Sequence, residues 1–132
     1  MSLKTASIKS AKNIRNCFRI SVMSRHTLSD GKTSDPEITD DLFDDHIPQL
    51  GPPPKLVGGY YRGEVLWPEF ARSYLEYLSS DQASGLVDEL IELSKKTDVV
   101  LLCIEDTPEF CHRRLLAQEC QRRDPTLEVI IN

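Results

Sequence analysis

Val99-Val100-Leu101-Leu102-Cys103-Ile104 is apolar at every position. A strand with one wet face alternates, so an unbroken run predicts a strand covered on both faces, as in parallel sheets. The character of the chain then changes at once. Glu105-Asp106-Thr107 is polar, and Pro108 suits a first helical turn. A helix is expected from Pro108 to about Arg123, capped by Thr107 or Asp106, and Leu127 to Ile131 reads as a final strand. A helix also precedes the run. That order implies right-handed crossovers and an α/β fold: a small, mainly parallel sheet with helices packed on its faces.

The preceding helix is expected from about Asp81 to Lys96, with Leu86, Leu90 and Leu93 on one side and Val87 and Ile91 widening the stripe. Gly85 weakens its first turn by roughly 1 kcal/mol relative to alanine. Before it, Trp67-Pro68 opens a helix whose apolar stripe is Phe70, Tyr74 and Leu78, with Tyr77 beside them. Leu3 to Lys9 and Cys17 to Met23 read as strands, separated by a polar turn or single helical turn from Ser10 to Asn16. Ser24 to Gly59 is expected to be one long irregular loop region, because Asp30-Gly31 is a turn signal and Gly51-Pro52-Pro53-Pro54 interrupts regular structure. Within it, Glu37 to His46 is expected to hold a short helix.

The 132 residues predict a single α/β domain, 1–132, with a core that needs no staples. No apolar run approaches the ~20 residues of a membrane helix, and no N-terminal stretch has the pattern of a secretory signal. Cys17, Cys103, Cys111 and Cys120 lie in or beside apolar segments, which predicts reduced thiols and a cytoplasmic protein. A net charge of −5 excludes a general nucleic-acid surface. The charge is uneven, with acids concentrated from Asp35 to Asp45 and Arg113, Arg114, Arg122 and Arg123 in one late segment.

In open α/β sheets, ligands sit beyond the carboxyl ends of strands. Here that place gathers Cys103, Glu105, Cys111, His112 and Arg113 within one short segment. Cys103 and Glu105 share a face by strand alternation. Glu105 directly follows a buried strand and must find a partner, either Arg25 or a ligand. A helix N-terminus and the neighbouring Arg113 predict a depressed pKa for Cys111. Each residue also has a plainer use: Cys103 and Cys111 as packing, His112 as a cap, and Arg113 with Arg114 as a solvated helix face.

The segment Val100-Leu101-Leu102-Cys103-x-Glu105 followed by Cys111-His112-Arg113 resembles the C-terminal signature of the domain of unknown function 488 family. Met23-Ser24-Arg25-His26-Thr27, Asp30-Gly31 and Trp67-Pro68-Glu69-Phe70 with Tyr74 are similar to one branch of it. The resemblance covers most of the chain and implies an α/β fold and a shared site, without an assigned reaction. Many members carry an Asp-Val-Arg triplet after the first strand. This chain has Met23-Ser24-Arg25 there, without the acid.

Several uses of the cluster stay open. In the first, Arg25, His26 and Arg113 hold a small anionic or nucleotide-type ligand, while Glu105, Cys111 and His112 carry any chemistry. In the second, Cys111 is a reactive thiol or redox sensor with Cys103 as its resolving partner. In the third, Tyr60, Tyr61 and Trp67 around Gly58-Gly59 form a surface for a protein partner, or simply close the core. A metal site of Cys103, Cys111 and His112 with Glu105 is disfavoured, because adjacent helical residues diverge and no zinc spacing is matched. No phosphate loop or nucleophile elbow occurs, and no cofactor is implied. A phosphatase-like thiol loop needs arginine six residues after its cysteine, where Cys103 has Glu109 and Cys111 has Ala117.

Overall fold

The computed structural model describes residues 1–132. Five strands form one sheet: β1 (Ser2–Ser7), β2 (Phe18–Ser21), β3 (Asp45–His46), β4 (Val99–Cys103) and β5 (Glu128–Ile130). Four α-helices accompany it: α1 (Pro54–Tyr61), α2 (Trp67–Leu78), α3 (Ser84–Lys96) and α4 (His112–Arg123). The strand order is β3-β2-β4-β1-β5 and every pairing is parallel. β4 therefore runs through the centre, with Val99 opposite both Leu3 and Phe18. All five of its residues are buried, as the unbroken apolar run predicts.

The two faces of the sheet are closed differently. Val99 and Leu101 join Leu3 and Ile20 in a large core with Tyr74 and Leu78 of α2, Val87 and Ile91 of α3, and Leu116 of α4. Val100 and Leu102 enter a smaller core with Ile8 and Ala11 from a 3-10 turn over Ile8–Asn13 and Leu42 from another over Asp40–Leu42. The packed α-helices thus gather on one face, and short turns seal the other. No helix is long and apolar enough to cross a membrane.

Three expectations from the sequence need correction. The stretch Glu37 to His46 supplies only that 3-10 turn and then β3. Here the open edge of β2 competes for the backbone: Asp44 N–H donates to Arg19 O and Ile47 N–H to Ser21 O, while the Asp44 carboxylate takes the Arg19 N–H and guanidinium. The region up to Gly59 is also not irregular throughout, because α1 begins at Pro54. Proline lacks an N–H that a first helical position would leave unpaired anyway, so the proline run ends by starting a helix. Gly51, just before it, abuts the end of β2 so closely that a Cβ would lie 2.6 Å from Val22 O.

The third correction concerns α4, which starts at His112 and not at Pro108, so neither Thr107 nor Asp106 caps it. Cys111 is the N-cap, in extended conformation. Two carbonyls that an earlier helix would use, those of Pro108 and Glu109, accept from the Arg114 guanidinium instead. Arg113 donates to Glu105 O, farther back in the same loop.

Candidate functional site

A cavity of about 470 Å³ opens at the carboxyl end of β4. Cys103, Glu105 and His112 line it on the sheet side, Arg25 and Gly31 on the loop side, and Tyr61 on the α1 side. The structure thus brings together Glu105, His112 and Arg25 from the residues singled out in sequence. Cys111, Arg113 and His26 do not line this cavity.

His112 is buried, and both of its ring nitrogens are engaged. Nε2 lies 2.7 Å from Val22 O. A carbonyl only accepts, so Nε2 carries a hydrogen, and in the neutral tautomer that this selects the lone pair sits on Nδ1. That lone pair faces Cys103 Sγ at 3.6 Å, within reach of the thiol hydrogen. The Tyr74 ring stands edge-on to the imidazole at 5.4 Å, and Tyr74 itself is anchored by its hydroxyl to Leu50 O. One main-chain oxygen and one aromatic wall therefore fix both tautomer and orientation.

Cys103 and Cys111 are both free and buried. The Cys103 thiol is held below its ordinary range: the adjoining Cys111, the Ile104 N–H and the nearby Arg113 charge favour its thiolate against burial. Cys111 moves the other way, against the expectation that the helix terminus would depress it. The adjoining Cys103 and burial both push it up.

Arg113 is fully buried and its donors serve the main chain. Nη1 reaches Glu105 O at 2.8 Å and Cys111 Sγ at 3.3 Å, while Nε and Nη2 reach Asn132 O. Its expected place as an anion ligand is therefore occupied by structural bonds. It ties the post-β4 loop, the α4 N-terminus and the tail after β5 into one unit. Burying a guanidinium without a carboxylate is tolerable only because carbonyl oxygens satisfy it.

The Glu105 carboxylate finds neither Arg25 nor Arg113. It accepts from the Tyr61 hydroxyl at 3.1 Å, and burial, followed by the Glu105 charge and this hydrogen bond, raises the Tyr61 pKa. The sequence pattern alone presents Tyr61 as an aromatic of a loop, because the prolines and glycines around it mask α1. Arg25 is exposed and spends Nη1 on Gly31 O. Of the three cations on the cavity wall, Lys9 pairs Asp106 and Arg62 pairs Glu64, whereas Arg25 pairs no carboxylate. His26 turns from the cavity. Its Nε2 sits 2.7 Å from Ser21 Oγ and its ring stacks on His46 with centroids 4.0 Å apart.

Donor atoms of Cys103, Cys111 and His112 all lie within 4.8 Å of one another, the spacing needed to share a metal ion. The objection that Cys111 and His112 diverge on a helix does not hold, because Cys111 precedes the first helical residue. Tyr60, Trp67 and Phe110 form a separate aromatic patch beside the cavity mouth, with Arg114 over the Trp67 ring.

No curated protein and no solved structure matches the chain. A family model described as the active DUF488-N3 subclade matches residues 3–124, which takes in β1 through α4 with every cavity residue discussed above, and the chain belongs to that family.

Proposed function

We propose that the protein is a thiol-dependent enzyme in which Cys103 is the attacking group and His112 its proton acceptor, acting on a small substrate that carries an anionic group. The observation that carries this reading is the pairing of a cavity-lining thiol with an imidazole whose tautomer is set by Val22 O. A thiol becomes an effective nucleophile when an adjacent base takes its proton and a third group orients that base. The Cys103 hydrogen passes to Nδ1, the thiolate attacks an electrophilic centre, and the imidazolium returns the proton to the leaving group. Arg25, free of any carboxylate, is placed to meet the anionic group. Glu105, steadied by Tyr61, orients a donor on the substrate.

The test is alkylation kinetics by iodoacetamide, read cysteine by cysteine by mass spectrometry on the full chain. Cys103 is expected to react first, and Cys103→Ser to remove that fast phase. Modification of the half-buried Cys17 with Cys103 inert would overturn the reading. Inorganic phosphate and sulfate are expected to slow alkylation and to raise the melting temperature, with Arg25→Ala abolishing both effects.

A second reading is favoured by the mutual distances within Cys103, Cys111 and His112. Two thiolates and an imidazole suit Zn²⁺, and a ligating histidine ordinarily gives its other N–H to a carbonyl, as His112 does to Val22. Metal content and free-thiol count on freshly purified protein separate the two. A stoichiometric ion with both thiols masked would replace the nucleophile by a metal centre.

A further inference from the structure

We infer that Cys111 is a resolving thiol, so that the site exchanges electrons with small disulfides through a Cys103–Cys111 disulfide. The inference rests on Cys103 being the attacking thiol and adds the fate of the intermediate it forms.

Three observations carry it. The two sulfurs lie within 4.8 Å of each other although their residues are separated by the whole post-β4 loop. Only Cys103 lines the cavity, so an incoming disulfide meets that thiol and not Cys111. The buried Arg113 guanidinium donates to Cys111 Sγ at 3.3 Å, from a position that Glu105 O and Asn132 O hold fixed. That contact holds the Cys111 sulfur beside Cys103, in place to attack it.

The exchange balances in two displacements. The Cys103 thiolate attacks one sulfur of a disulfide R–S–S–R, whose S–S bond breaks. One R–S⁻ leaves with the electron pair and takes up the proton that His112 received from Cys103. Cys111 then gives its proton to His112 and attacks Cys103 Sγ in the mixed disulfide. The second R–S⁻ departs and is protonated in turn. The substrate disulfide is reduced to two thiols, and the protein dithiol is oxidised to one internal disulfide. The cavity of about 470 Å³ admits a small R group beside Cys103.

The test treats the reduced full chain with 2-hydroxyethyl disulfide, quenches in acid, and maps the products by intact mass and by peptides. Wild type is expected to yield an internal Cys103–Cys111 disulfide with no lasting adduct. Cys111→Ser and Cys111→Ala are expected to accumulate the mixed disulfide on Cys103. A stable Cys103 adduct in wild type, or a disulfide between other cysteines, overturns the resolving role while leaving Cys103 as nucleophile. Absence of reaction at Cys103 in wild type overturns the nucleophile itself. The wild-type peptide map stands without the variants, so a folding defect in either one does not blunt the test.

Discussion

The imidazole of His112 donates through Nε2 to the main-chain oxygen of Val22 at 2.7 Å, joining the first residue of α4 to the exit of β2. This cross-link leaves Nδ1 facing Cys103, so on the proposed reading the thiol's chemistry depends on a single ring nitrogen. His112→Gln removes that basic nitrogen, while its amide can still donate to Val22 O. Alkylation of Cys103 near neutral pH is expected to slow by about a hundredfold, at the modest end of what a positioned base contributes. The deficit should shrink as pH rises toward the range where an unassisted thiol ionises, about 8.5. An unchanged rate–pH profile would remove His112 from the chemistry.

Gly51 tests the same cross-link from behind. A Cβ there would sit 2.6 Å from Val22 O and 2.9 Å from Ser24 N, both main-chain atoms that cannot swing away. Gly51→Ala is expected to cost about 1–3 kcal/mol, as overpacking of a dense region does. Because Val22 O is also the acceptor for His112, the folded variant should show slower alkylation of Cys103 as well. A stability loss with normal Cys103 reactivity would mean that the strain relaxes away from Val22.

Arg113 predicts a stability effect where the sequence suggests a ligand effect. Arg113→Met withdraws donors from the exposed Asn132 O, which water can serve, and from Glu105 O in the half-buried loop, where a polar group left without a partner costs about 1–3 kcal/mol. Urea denaturation is expected to report a loss of about 1–3 kcal/mol. Arg113→Lys should recover little of it, since one ammonium cannot span the same carbonyls. A loss below about 1 kcal/mol would mean that water or a rearranged tail replaces the guanidinium.

The central strand and the helices flanking it were legible in sequence because their signals are local. Six consecutive apolar residues from Val99 specify a strand covered on both faces, and Trp67-Pro68 with Phe70, Tyr74 and Leu78 specifies α2 and its buried side. The place of the cavity was legible for the same reason, since a polar segment after a buried strand marks the carboxyl edge of the sheet. The division of roles within it was not. Whether Cys103 or Cys111 lines the cavity depends on where α4 begins. That start is set by Arg113 and Arg114 capturing loop carbonyls, a tertiary effect with no periodicity. Tyr61 was hidden because three prolines and two glycines read as a loop, although the last proline initiates α1. Likewise β3 is two residues long and exists only by pairing with β2.

Acid stability gives a prediction independent of the thiols. Burial and the stacked His46 push the His26 pKa down to about 4, with Asp40 opposing them weakly. The folded state therefore holds His26 neutral where the unfolded chain, titrating near 6.5, takes up a proton. The stabilisation is complete above about pH 6.5 and is lost progressively as pH falls toward 4. Solvent around this half-buried ring screens the effect, so a loss of about 1–2 kcal/mol is expected across that window. Carboxylates act in a lower window. Thr33 and main-chain N–H groups hold Asp30 down to about 2, and Lys95 and Thr126 do the same for Asp124, so their contributions disappear only between about pH 4 and 2. Urea midpoints measured from pH 7 to pH 3 should show two separate declines. His26→Asn, which still offers Ser21 a polar partner, should flatten the upper one alone. If the variant keeps the decline between pH 6.5 and 4, another group is responsible and the His26–His46 stack is not the acid-sensitive element.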